Sequence, residues 1–111
     1  MFRMIAGLTM CLGLAATAAA QDAKVALGEK VYADQKCALC HSIADKGNKK
    51  GPLDGVASKL KVEEIREWIV DAPAMTAKTK ALRKPLMKSY KLPKMDEDAI
   101  VAYLMTLKKK P

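Results

Sequence analysis

Histidine occurs once in this 111-residue chain, at His41, and the aromatic residues are one Trp, three Tyr and one Phe. A single imidazole excludes the usual tetrahedral zinc centre, which needs more donors than Cys37, Cys40 and His41 supply. It also leaves no second histidine for acid–base chemistry. No stretch alternates apolar and polar residues as a half-buried strand would, and no segment repeats, so strand-rich and solenoid architectures are excluded. The one apolar run, residues 4–16, is too short and wrongly flanked for a spanning helix. With so few large apolar side chains the core is thin, and a domain of this size ordinarily needs a staple or an added apolar body.

The apolar run has the character of an export signal. Met1, Phe2 and Arg3 make a short basic start, and Ala18 and Ala20 stand where a signal peptidase reads. Cleavage after Ala20 is expected, leaving residues 21–111 as one mature domain in the periplasm; the alternative is an uncleaved anchor. Cys11 reads as a small hydrophobe of the signal, since Met10 replaces the small residue a lipoprotein would carry before it. Export implies an oxidising compartment. A disulfide between the remaining Cys37 and Cys40 would nevertheless close a tiny loop and stabilise little.

Cys37-Ala38-Leu39-Cys40-His41 gives those thiols a better use. Two cysteines three apart with a histidine directly after the second is the c-type haem attachment pattern. On a helical turn the two thiols lie near one face, where each can form a thioether to a haem vinyl group. His41 then arrives on one side of the iron, as a proximal ligand should. A buried macrocycle would also supply the apolar mass this chain lacks.

Elsewhere the periodicity is helical. Val25, Leu27, Val31 and Tyr32 form a stripe over residues 23–35 with Gly28 inside it. Glycine there costs roughly 1 kcal/mol against alanine, which points to close backbone approach or else to a tolerated defect. Residues 45–52 are a polar loop of turn formers, and 53–58 are short and irregular. Ile65, Trp68 and Ile69 predict a helix over 62–71, ended by Pro73 because Ala72 is pushed out of helical geometry. Residues 74–82 form a weakly amphipathic helical stretch, and 84–94, with Pro85 and Pro93, an extended loop. Asp96 reads as an N-cap with Glu97 and Asp98 in the first turn. Ile100, Val101, Leu104 and Leu107 are the buried stripe of a last helix closed by Lys108, Lys109 and Lys110. The class is all-α.

One histidine excludes bis-histidine haem within the chain, so a methionine thioether is the expected sixth ligand. Met105 lies within the last helix and reads as packing, and Met95 as a hydrophobic staple before Asp96. Met75, after Pro73, is core, gap filler or an alternative ligand. Met87 lies in the proline-flanked loop, free of helix register, and is the leading candidate.

Over its mature length the chain resembles the class I monohaem cytochrome c family. Gly28 and Tyr32 come first, then Cys37 to His41, Gly51-Pro52-Leu53, Trp68, Met87-Lys88-Ser89-Tyr90 and Ala102-Tyr103-Leu104. The resemblance implies crossing N- and C-terminal helices around one covalent haem c, with Gly28 letting the helix of Tyr103 approach. It implies that the Pro52 carbonyl accepts the Nδ1–H of His41, leaving Nε2 for iron. Trp68 is a candidate to reach a haem propionate, or else a core residue. One departure stands out: many relatives have proline after the ligand methionine, where this chain has Lys88.

The formal charge is +8, and residues 1–20 carry only Arg3 of it, leaving +7 on the mature chain. Lys46, Lys49 and Lys50 crowd one loop, and Lys84, Lys88, Lys91 and Lys94 surround the Met87 loop. They are read as a rim for an acidic redox partner or as generic solubility. Nucleic acid is not expected, since basic and aromatic residues do not interleave. Membrane contact is peripheral at most, and a monomer is expected. The leading reading is a periplasmic electron carrier, not an enzyme. The alternatives are a haem protein with a displaceable sixth ligand, a haem subunit of a larger oxidoreductase, or a thiol–disulfide module, the last lacking its βαβ context.

Overall fold

In the computed structural model, which describes residues 12–109, helix α1 (Leu12–Asp34) begins well before the stripe that predicts it. Residues 17–24 are exposed on every side, and the first partly buried position is Val25. From there the stripe behaves as read: Val31 is buried, and Leu27 and Tyr32 pack on the core. The basic start and Cys11 lie outside the described residues, and no described helix is long and apolar enough to cross a membrane.

The last helix, α5 (Lys94–Leu104), packs on α1 more extensively than any other pair of elements touches. Gly28 is the reason it can. A Cβ there would collide with the Ala99 carbonyl and lie 2.6 Å from the Tyr103 Cβ. Ile100, Val101 and Leu104 of α5 join Val31 of α1 in the core. The N-cap is Pro93 and not Asp96, because the fixed φ of proline (−53°) already sets the entry and adds Lys94 and Met95 to the first turn. Met95 is consequently no staple; it is 73% exposed. The helix also stops at Leu104, so Leu107 reaches the core from beyond it.

Helix α3 (Val62–Val70) supplies Ile65 and Ile69 to the same core, as their spacing predicts. The Lys61 amide donates to Glu64 Oε1 at 3.0 Å, tying down the N-terminus. Asp71 ends α3 and caps α4 (Ala72–Thr79), accepting from the Ala74 amide at 3.3 Å. Pro73 thus separates two helices by occupying the first turn of the second, where its missing N–H costs nothing. That start lies two residues before the expected stretch. Arg66 of α3 reaches across to Glu97 and Asp98 of α5, and Lys94 joins both carboxylates.

Between α1 and α3 the chain is irregular apart from α2 (Val56–Lys59) and a two-residue-per-strand hairpin, β1 (Ser42–Ile43) with β2 (Lys46–Gly47). The expected polar loop therefore contains a ribbon. Ala44 and Asp45 both have positive φ, as a tight two-residue hairpin turn demands, and Asp54 Oδ1 accepts from the Ala44 amide at 2.9 Å. The fold is otherwise helical, and the all-α class holds.

Candidate haem attachment site

The two thiols sit just beyond α1, after a single left-handed residue. Lys36, at φ 58°, swings the chain off the helix axis, and Cys37–Leu39 form a single 3₁₀ turn. The amides of Cys40 and His41 both donate to the Cys37 carbonyl, at 3.1 and 2.9 Å. This turn keeps Cys37, Cys40 and His41 together. It is held from behind by Asn48, whose amide donates to the carbonyls of Ala38 and His41 and whose Nδ2 donates to that of Leu39. Gly47 is needed there, since its φ is +107° and a Cβ would strike the His41 carbonyl.

Both thiols are free and partly buried. Burial pushes the Cys37 thiol up, and the neighbouring Cys40 pushes it further. A thiol kept protonated is a poor nucleophile for disulfide exchange, and no βαβ unit exists among the described residues, so the thiol–disulfide reading loses its support.

His41 Nδ1 lies 3.1 Å from the Gly51 carbonyl oxygen. A carbonyl only accepts, so Nδ1 carries the proton and Nε2 keeps its lone pair. The same oxygen accepts from the Ser42 amide at 3.1 Å. The expectation that Pro52 orients His41 is therefore corrected by one residue. Pro52 sits opposite Ser42 in a parallel bridge, flanked by the Ser42–Gly51 bond and by the Leu53 amide donating to the Ser42 carbonyl, and this register turns Gly51 toward the ring. Burial lowers the proton affinity of His41; the Gly51 bond opposes this, and the charge of Arg83 adds to it. The imidazole is neutral at pH 7, as a ligand must be.

The Met87 segment is anchored on both flanks, to α3 and to Gly51. On one side the Tyr90 amide donates to the Ile69 carbonyl at 2.8 Å. Burial raises the Tyr90 phenol first, and the nearby Cys37 and Cys40 raise it further. Lys88 Nζ stands 5.3 Å from the centre of the Tyr90 ring, a cation–π pair next to the expected ligand. On the other side Arg83 lies against Gly51. Met87 itself is half-buried.

Met75 is the largest fully buried side chain, 2% exposed on α4. That is the environment of a packing residue. Met105 packs partly buried against the core. Trp68 is half-buried on α3. Arg83 and Gly51 were invisible in the local pattern, because their contact spans more than thirty residues. One signal existed: arginine is used only three times among 20 basic residues, at positions 3, 66 and 83.

The donors fit a covalently held haem. Two free thiols accompany a neutral imidazole with an available Nε2, and the hydroxyl of Tyr32 is buried with no hydrogen-bond partner among the described residues. Burial, then the proximity of Cys37, pushes that phenol up to about 12. Its ring meets Tyr103 edge to face, with centroids 6.0 Å apart. Among the described residues no group of three or more His, Cys, Asp and Glu could hold a bare metal ion.

No match was found among curated proteins or among solved structures. The family model described as Cytochrome c matches residues 25–108, a span that begins where α1 first packs and contains the Cys37 turn, His41 and the Met87 segment. The chain therefore belongs to the cytochrome c family, haem c proteins of electron transfer.

Proposed function

We propose that this protein is a periplasmic one-electron carrier whose haem c is anchored by Cys37 and Cys40 and ligated by His41 and Met87. The observation that supports this reading is the anchoring of the Met87 segment on both sides, by Tyr90 to Ile69 of α3 and by Arg83 to Gly51, the residue whose carbonyl accepts from His41. A bound haem supplies an iron centre that cycles between Fe(II) and Fe(III). The chain supplies the rest. Gly51 holds the proton at Nδ1 so that Nε2 stays a donor, and burial disfavours the imidazolium that would leave the metal. Met87 offers a neutral, soft sulfur, which raises the potential of electron-transfer haems. Trp68, on the neighbouring face of α3, is the candidate to meet a propionate. No substrate is transformed, because the site offers no second acid or base.

The location is supported by the way the chain begins. Ala18 and Ala20 are exposed, the first partly buried position among the described residues is Val25, and the family match starts at residue 25. Cleavage after Ala20 would leave the core intact.

An acidic redox partner is supported by exposed lysines at positions 46, 49, 50, 84, 88 and 91, interleaved with exposed Leu39, Leu82 and Leu86. Lys94, expected among them, is committed to Glu97 and Asp98. Such a face favours rapid, short-lived docking between monomers and partner proteins.

An optical spectrum of the purified mature protein tests the reading. Covalent haem with the charge-transfer band of methionine-ligated ferric iron is expected. Haem without that band, with ready binding of carbon monoxide, would replace the carrier by a ligand-binding or catalytic haem protein.

A further inference from the structure

The two arginines of the folded domain are used in opposite ways. Arg66 is paired with two carboxylates, Glu97 and Asp98. Arg83 makes no ion pair with any described residue, yet its guanidinium has a defined seat. A Cβ on Gly51 would collide with Arg83 Nη1 and with the Cys40 carbonyl, and would lie 3.1 Å from Arg83 Cζ. Gly51 has no positive φ, so its backbone does not call for glycine; the close approach of Arg83 and Cys40 does. The carbonyl of this same Gly51 accepts the Nδ1–H of His41. A cation paired with no described carboxylate is thus held against the residue whose carbonyl orients the imidazole.

We propose that Arg83, seated on Gly51, is a positioning residue whose fixed positive charge near His41 shifts the one-electron equilibrium of the haem toward the reduced state. The inference rests on the His41 ligation proposed above. Oxidation adds a positive charge at the metal, and a fixed cation nearby opposes that addition. A guanidinium stays charged at every working pH, so its influence does not titrate away as that of a histidine would. Arg83 is exposed, so water and salt weaken the effect without abolishing it. Lysine would carry the charge but not the planar head that lies along the glycine.

The test is potentiometric titration of the full-length holoprotein as wild type, R83Q and R83K. At one ambient potential, R83Q is expected to shift the reduced-to-oxidised ratio about three- to tenfold toward the oxidised form, and R83K to keep most of the wild-type ratio. The gap between wild type and R83Q should narrow as salt rises. Equal ratios for all three proteins, or equal shifts in R83Q and R83K, would overturn the proposal. Covalent haem staining and the methionine charge-transfer band are recorded on the same samples. If they show that His41 and Met87 do not ligate iron, the underlying reading fails; if they are normal while the ratio stays put, only the role of Arg83 fails.

Discussion

Gly28 lies directly against the backbone carbonyl of Ala99, with no room between α1 and α5 for even one carbon more. Two effects of a Gly28→Ala substitution oppose each other. Helix propensity favours alanine by about 1 kcal/mol. The collision involves backbone on a facing helix, which cannot swing aside, and overpacking of this kind costs about 3 kcal/mol. The clash wins. Gly28→Ala is expected to lose about 2 kcal/mol or more of stability by denaturant unfolding, and a stabilised variant would contradict the packing described.

Met87 and Met75 should separate cleanly by experiment. Met87→Ala is expected to abolish the ferric charge-transfer band while the thioethers retain the haem. Met75→Ala opens a cavity at a site only 2% exposed and should cost about 2–5 kcal/mol with the band kept. Loss of the band in Met75→Ala alone would reverse the ligand assignment.

His41 sets an acid limit. Its proton affinity is lowered in the fold, chiefly by burial, so an unfolded chain binds a proton at His41 more readily than the folded one. Stability from this group is fully present above about pH 6.5 and is lost as pH falls below that value toward the folded pKa. Denaturation midpoints measured from pH 8 down to pH 5 should be flat at first and then decline. A rise on acidification would refute a buried, neutral imidazole.

Arg66 joins α3 to α5 through Glu97 and Asp98. Arg66→Met is expected to lose about 1 kcal/mol, less at high salt, because the network is partly exposed. Asp98 adds a second pH window. Lys94 first, and then Arg66, hold its carboxyl below the usual range, so its contribution is kept at neutral pH and disappears only in strong acid. Unfolding at two salt concentrations checks both statements.

The sequence was informative where chemistry is local. Ile65 and Ile69 announced α3, Gly28 announced a close approach, and five consecutive residues announced the haem. It was less informative where one backbone choice competes with another. Pro93 and Asp96 both can begin a helix, and the rigid ring of Pro93 prevailed three residues earlier. The hairpin of Ser42 to Gly47 has strands too short for any alternation to register, and its turn uses Ala44 and Asp45 at positive φ in place of an obvious glycine pair. The acceptor of the His41 proton depends on the register of Ser42 with Pro52, which spacing alone does not fix. Arg83 on Gly51 is a tertiary contact with no local signature.

The pairing of α1 with α5 has a temporal consequence. The core closes between the two ends of the chain, so it stays open until Ile100, Val101 and Leu104 have been made and have found Val31. Contacts this distant in sequence form slowly, because a long loop must close first. The edge-to-face meeting of Tyr32 with Tyr103 belongs to that late closure, because it spans the same two helices.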